Sequence, residues 1–363
     1  MEEGRIRPLQ LGTLAVGFIF GSSVVLTPGR LAEQDAWFAI LLGMAEGSAF
    51  MLVFALLSRR FPGRTYPEIA EAVFGKWLGK ALAFLLVVYL LYLCSLVLGN
   101  YGDFLMIAMM AETPKEVLVA CLAAICVFAV LQGVEVIARA SEVLVPLAVA
   151  FFVAITLLAG PQIDLRNLRP ILAAPPAKIL WAAHAAAVFP FAETVAFMMV
   201  LPFLHRGDRR KGLPAMAAAF LTAGFIFTVV IIRNTGILGS LGKIVTYPSY
   251  EAAKLVDVGR AGLRLEVLIA LNFLTMGFLK AAVLYYASVL GLAQILGLAS
   301  YRPLVAPVGL FLVALSRLNF ANLAQNVEMI NVSYPVFAPL FEVLIPAATL
   351  ILACLRGKAG EGQ

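Results

Sequence analysis

Charge is what this sequence has least of. Only 13% of its 363 residues are charged, while 62% are hydrophobic; a soluble domain carries about 25% charged residues. Polar surface is too scarce to cover a water-soluble body, which excludes soluble enzymes and soluble binding modules. With two histidines and four cysteines, nothing in the sequence resembles a metal cluster, a catalytic triad or a phosphate loop. No enzyme activity, metal or cofactor is expected. Cys94, Cys121, Cys126 and Cys354 fall inside or at the edge of apolar runs, where they read as small packing residues rather than disulfide or zinc ligands. A cleavable leader is missing from the pattern as well, because Met1–Pro8 is polar and carries Glu2, Glu3, Arg5 and Arg7.

What is present is a succession of apolar runs near the ~20 residues needed to cross a bilayer. They predict an all-α membrane protein of ten spans at roughly 9–30, 36–58, 79–105, 115–132, 142–160, 179–204, 213–235, 264–297, 302–318 and 335–355. The net charge of +6 comes from basic residues in short connections, not from a nucleic-acid surface. Arg59, Arg60, Arg64, Lys76 and Lys80 occupy the second connection, His205–Lys211 the sixth, and Arg356 and Lys358 follow the last span. The positive-inside rule then places these connections and both termini in the cytoplasm.

Two spans are interrupted at mid-depth. The first contains Gly21-Ser22-Ser23 and Thr27-Pro28-Gly29; the sixth contains Phe189-Pro190-Phe191-Ala192-Glu193. Proline removes a backbone donor and glycine weakens a helix, and such backbone survives in a bilayer only inside protein or beside a wet cavity. The chain divides as one membrane domain, 1–363, into five-helix halves at 9–160 and 179–355, and the interrupted spans open each half. Broken helices at matching positions point to an inverted repeat with a midplane binding site; the plainer alternative is a pair of ordinary kinks. The outer connection, 236–263, holds Gly236, Gly239, Gly242 and a helix-like Glu251–Val258. It fits either a lid with glycine hinges or a passive interfacial helix.

Short motifs run in order along the chain: Gln34-Asp35-Ala36-Trp37, Arg59-Arg60-Phe61-Pro62-Gly63-Arg64-Thr65, Gly75-Lys76-Trp77-Leu78-Gly79-Lys80, Gly133–Arg139, Phe189–Glu193 and Leu201-Pro202-Phe203. As an ordered set they resemble the B subunits of GerA-type spore germinant receptors, a branch of the amino acid–polyamine–organocation transporters. The resemblance implies a leucine-transporter-type fold in the inner membrane of a bacterial endospore. It also implies a small germinant, often an amino acid, and A-type and lipoprotein C-type partner subunits. Past about residue 260 only the pattern of spans matches.

A zwitterion at mid-membrane needs N–H donors for its carboxylate and carbonyls or a carboxylate for its ammonium. Gly21, Ser22, Ser23, Phe189, Phe191 and Glu193 are therefore the candidate ligand shell, although the serines can instead bond back into their own helix. Glu46, Glu193 and Lys280 are ionisable at mid-span, where each costs roughly 2.5–3.5 kcal/mol to insert. Lys280 can act as a static partner of Glu193 or Glu46, as a stand-in for the cation of sodium-coupled relatives, or as a proton carrier. Tyr89, Tyr92, Asn100, Asn272 and Thr275 are expected to hydrogen-bond between helices, and His184 to be a hydrogen-bonded core residue. Three functions stay open: a germinant-sensing subunit, a proton-coupled amino-acid transporter, and a water or ion conduit or non-binding scaffold.

Overall fold

The computed structural model describes residues 4–256, 264–320 and 322–360. Among these residues the architecture is helical throughout, and a lone backbone bridge joins Ile6 to Leu204. The first span consists of α1 (Pro8–Phe20) and a one-turn α2 (Ser23–Leu26). Next come α3 (Ala36–Arg60), α4 (Tyr66–Phe74), α5 (Lys76–Ala108), α6 (Lys115–Gln132) and α7 (Val134–Ala159). The second half holds α8 (Pro176–Ala186), α9 (Gly212–Leu238), α10 (Pro248–Leu255), α11 (Leu265–Leu296) and α12 (Arg302–Leu318). A final span runs through α13 (Leu323–Glu328), α14 (Tyr334–Pro339) and α15 (Ile345–Leu355), joined by wide turns. Eight of these helical segments are long and apolar enough to cross a bilayer. The two other expected spans are the divided α1–α2 and the 17-residue α12.

Several expectations need correction. The last span starts at Leu323, not at 335. Its first turns carry Gln325, Asn326, Glu328 and Asn331, which hide it from a hydropathy reading; Asn326 nevertheless donates to Asn100 Oδ1 at 2.5 Å. Helix α9 continues through Gly236 to Leu238, so Gly236 is no hinge. Within the outer connection α10 is packed on α2, α9 and α11, with Tyr250 edge-on to Phe104 at 5.5 Å. Residues 257–263, including Val258 of the expected helix, lie outside the described residues. Of the cysteines, Cys94 and Cys126 are buried, whereas Cys121 and Cys354 are exposed rather than part of the packed interior.

Helices α5 and α11, with 33 and 32 residues, form the long central pair. At 1.5 Å per residue each is roughly 50 Å long, more than the ~30 Å hydrocarbon core. They meet closely at Gly277, where the Tyr101 ring lies on the α11 backbone and its hydroxyl donates to the Phe273 carbonyl at 2.5 Å. A Cβ at residue 277 would stand 1.2 Å from that hydroxyl oxygen. One face of the bundle collects both ends of the chain. Ile6 N–H donates to the Phe203 carbonyl and His205 N–H to the Ile6 carbonyl, both at 3.0 Å, and Gly360 N–H reaches the Arg60 carbonyl at 2.9 Å. Arg60 in turn donates to the Lys358 and Ala353 carbonyls at 2.6 and 3.1 Å, satisfying acceptors at the end of α15.

Because Tyr101 cannot retreat without leaving its carbonyl, Gly277→Ala should lower stability by about 1–3 kcal/mol or more. Tyr101→Phe, which forfeits one hydrogen bond, should cost about 1 kcal/mol. Thermal unfolding of the two purified variants in detergent checks this order; equal melting temperatures would contradict the close approach.

Candidate functional site

Both expected interruptions are present and face one another. In the first, Gly21 takes φ 12° and ψ −122°, and the chain turns before α2. The glycine is required by its neighbour: a Cβ there would lie 2.3 Å from Lys280 Cδ. In the sixth span, α8 ends in a wide turn over Ala187–Phe191 in which Phe189 is extended, with φ −114° and ψ 112°. A tighter helical stretch, Ala192–Met199, follows and carries Glu193 in its first turn. The second half of the first span is only one turn long, so it has almost no macrodipole. What that break offers an anion is local: the Ser22, Ser23 and Thr27 hydroxyl oxygens are buried without a partner.

Between the breaks lies a charged cluster sealed from solvent. Lys280 on α11 is fully buried and its ammonium is ion-paired and hydrogen-bonded to Glu193 Oε2. The same ammonium stands 5.4 Å from the Phe18 ring and 4.8 Å from the Phe189 ring, one from each broken span. Glu193 Oε1 accepts from the Tyr334 hydroxyl at 2.9 Å. Tyr334 meets the Tyr89 hydroxyl at 2.7 Å, and Tyr89 meets Glu342 Oε1 at 2.5 Å. The Tyr334 hydroxyl also stands 3.1 Å from Glu342 Oε1. With both carboxyl groups ionised, Tyr89 donates to Glu342 and Tyr334 to Glu193, and the 2.7 Å contact between the two hydroxyls has no proton. A third proton, carried by Glu342 and donated to Tyr89, lets Tyr89 donate to Tyr334 and fills that contact. Charge counting agrees, since one ammonium faces two carboxyl groups and a second uncompensated carboxylate at this depth would cost several kcal/mol.

The expected shell divides. Ser22, Phe189 and Glu193, with Asn100, Asn326 and Tyr334, border a cavity of about 20 Å³. That admits one water, which needs about 10–15 Å³, and no amino acid. Gly21 is packed on the Lys280 stem, Ser23 is buried, and Phe191 turns away to Phe220 and Phe227 at ring separations of 5.4 and 6.4 Å. Glu46 does not join Lys280; its carboxylate meets His184 Nδ1 at 2.7 Å, and His184 Nε2 meets the Pro335 carbonyl at 3.1 Å. Of the interhelical polar groups, Tyr89 and Asn100 bond across helices, while Thr275 bonds back to Leu271 and Asn272 Oδ1 is buried without a partner. Tyr92 lies against Phe337 at 6.3 Å.

Two members of the cluster, Glu342 and Tyr334, were missed by the sequence reading. The signal was there: an acidic residue inside the apolar run Phe337–Leu344, eight positions after a tyrosine.

A family model described as "Spore germination protein" matches residues 5–323. Spore germination protein KB of Bacillus subtilis (strain 168) is 30% identical over 370 residues, covering 99% of this chain and 98% of that protein. Spore germination protein YndE of the same organism is 22% identical, with 80% of each chain covered. Among solved structures, the nucleobase-cation-symport-1 family transporter Mhp1, closed with bromovinylhydantoin bound, superposes with a TM-score of 0.71 at 13% identity, covering 98% of this chain and 91% of its own. MhsT in complex with L-phenylalanine gives 0.67 at 14% identity, covering 99% and 91%. These likenesses establish a leucine-transporter-type fold. Homologues and neighbours are germination proteins and transporters, not enzymes. An integral multi-pass membrane protein with two opposed helix breaks and this match over most of its length, the chain belongs to the spore germination protein family.

Proposed function

We propose that the chain is the germinant-sensing membrane subunit of a spore nutrient receptor, taking an amino acid between its first and sixth spans. The observation that carries this reading is the meeting of the unpartnered Ser22 hydroxyl of one break with the Glu193 carboxylate of the other, around a small cavity. A ligand carboxylate replaces the missing partners of Ser22 and Ser23, and its ammonium takes Glu193 Oε1 from Tyr334. The cavity must widen to admit it, and that requirement is what couples binding to a change of shape: only a ligand with unequal affinity for two states shifts them. MhsT, of the same fold, holds L-phenylalanine, so an amino acid is a ligand that this fold accommodates. On this reading A-type and lipoprotein C-type subunits receive the change, the membrane is the inner membrane of the spore, and the face bearing both termini is cytoplasmic.

A second reading, a proton-coupled amino-acid transporter, is favoured by the Glu342–Tyr89–Tyr334–Glu193 chain, which can pass a proton toward the site. Uptake of labelled amino acids into proteoliposomes separates the two readings. The sensor predicts saturable binding with no accumulation above protein-free vesicles, and robust uptake by the isolated chain would overturn it.

Lys280→Met leaves Glu193 buried and unpaired, so it should cost about 3–5 kcal/mol and deplete the protein. Lys280→Met with Glu193→Gln should restore abundance, since no charge is then stranded, but not amino-acid binding by calorimetry. Binding retained by that double variant would remove Glu193 from the site. Glu342→Gln, a neutral replacement for a neutral acid, should fold to wild-type abundance and melt within about 1 kcal/mol of wild type; a large loss would mean that Glu342 is ionised.

A further inference from the structure

A second, larger cavity lies at the face that carries the termini, away from the charged cluster. It measures about 470 Å³, within the ~300–1,000 Å³ range of ligand sites, and fills the cleft between α3, the Ala192–Phe203 stretch and α9. Its body is apolar: Met51, Phe54, Ala55, Phe197, Leu213 and Met216 line it. Its mouth is cationic, with Arg59, Arg64, Arg209 and Arg210 at the rim and no carboxylate among the lining residues. Among the described residues none of these four guanidiniums has an ion pair or a hydrogen bond, and Arg209 Nε is buried without a partner. Gly63 makes room for this group, since a Cβ there would stand 2.7 Å from Arg209 Nη2.

Elsewhere on this face Arg60, Arg356, Lys358 and Lys80 each donate to a backbone carbonyl, while Lys76, Arg206 and Arg302 are exposed outside the cleft. Among the described residues, the four rim arginines have donors and no acceptor to receive them. The outward residues flanking the cleft, Leu52 and Leu56 on α3 and Leu221 on α9, are exposed in the manner of lipid-facing side chains.

We propose that this cavity is a binding site for one anionic phospholipid, its phosphate held by Arg64 and Arg209 and an acyl chain seated in the apolar body. Guanidinium geometry suits phosphate oxygens, and basic pockets between spans are a recurrent form of headgroup site. The apolar body is what selects a lipid over a free anion. Thr194 and Phe197 border this cavity, while Glu193 of the same stretch borders the inner one. The lipid therefore braces the segment that presents Glu193. Nothing in this assignment depends on the identity of the germinant.

The test is retention of lipid by the full chain in detergent, counted by native mass spectrometry with phosphatidylglycerol and phosphatidylcholine of identical acyl chains in competition. Wild type should keep one phosphatidylglycerol in preference to phosphatidylcholine. Arg64→Gln with Arg209→Gln should weaken retention roughly thirtyfold, at about fivefold per charge. Lys76→Gln with Arg302→Gln, which removes two exposed charges elsewhere, should leave it intact. Ala55→Trp, which fills the body without touching charge, should also abolish retention. Equal retention of the two lipids by wild type would overturn the proposal without any variant. So would displacement of the lipid by millimolar inorganic phosphate, which would make this a free-anion site, or by an acidic peptide, which would make it a protein contact.

Discussion

A charge held at the middle of a bilayer must be answered by another, and in this molecule the answer comes from a different span. Lys280 belongs to α11, Glu193 to the broken sixth span, and Gly21 of the first span clears the space in which they meet. Desolvating two ions costs several kcal/mol each and is recovered only with good geometry and further hydrogen bonds. The Tyr334 and Tyr89 hydroxyls supply those bonds, and they draw in the last span and α5. One electrostatic requirement thus ties together five elements that are far apart in sequence. It also explains why both breaks lie at this depth, because continuous helices would bring more backbone and side-chain bulk into the space that the pair occupies.

The glycines that matter serve approach rather than flexibility. Gly277 lets Tyr101 rest on the α11 backbone, and Gly21 lets the Lys280 stem pass beside the end of α1. In a bilayer, where burying apolar side chains between helices gains little over lipid, close contact and polar bonds hold helices together. The Tyr101 hydroxyl on the Phe273 carbonyl and the Asn326 amide on Asn100 are contacts of this kind.

How much of this could be read in the sequence follows from what hydropathy and local chemistry report. Apolar runs gave the spans wherever a helix is apolar along its length, and they failed at Leu323–Ser333, where Asn326 is satisfied by Asn100 of α5 and Asn331 by the Val327 carbonyl one turn earlier. Proline and glycine inside long runs marked the breaks at Gly21 and Phe189 because both act on the local backbone. Direction was not legible. Phe191 is two residues from Phe189 yet points to α9, since the extended Phe189 resets the helical phase. Partner choice was hidden for the same reason: Glu46 finds His184 and Lys280 finds Glu193, and nothing in residue spacing orders those pairs. Glu342 escaped because a single carboxyl in an apolar run barely lowers the mean hydropathy of its window. Arg233, 2% exposed and bonded to Asn234 and Thr156 rather than to a carboxylate, escaped because it lies near the end of its run.

The backbone bridge between Ile6 and the Phe203–His205 segment has a mechanical consequence. It staples the chain just before α1 to the stretch that leaves the sixth span, so at that face the two broken spans travel together. While these two hydrogen bonds hold, a parting of the breaks is wedge-shaped, widest on the opposite side and pivoting about the staple. The molecule is in this respect a clothes-peg rather than a rocker, with its spring at the end that carries the termini.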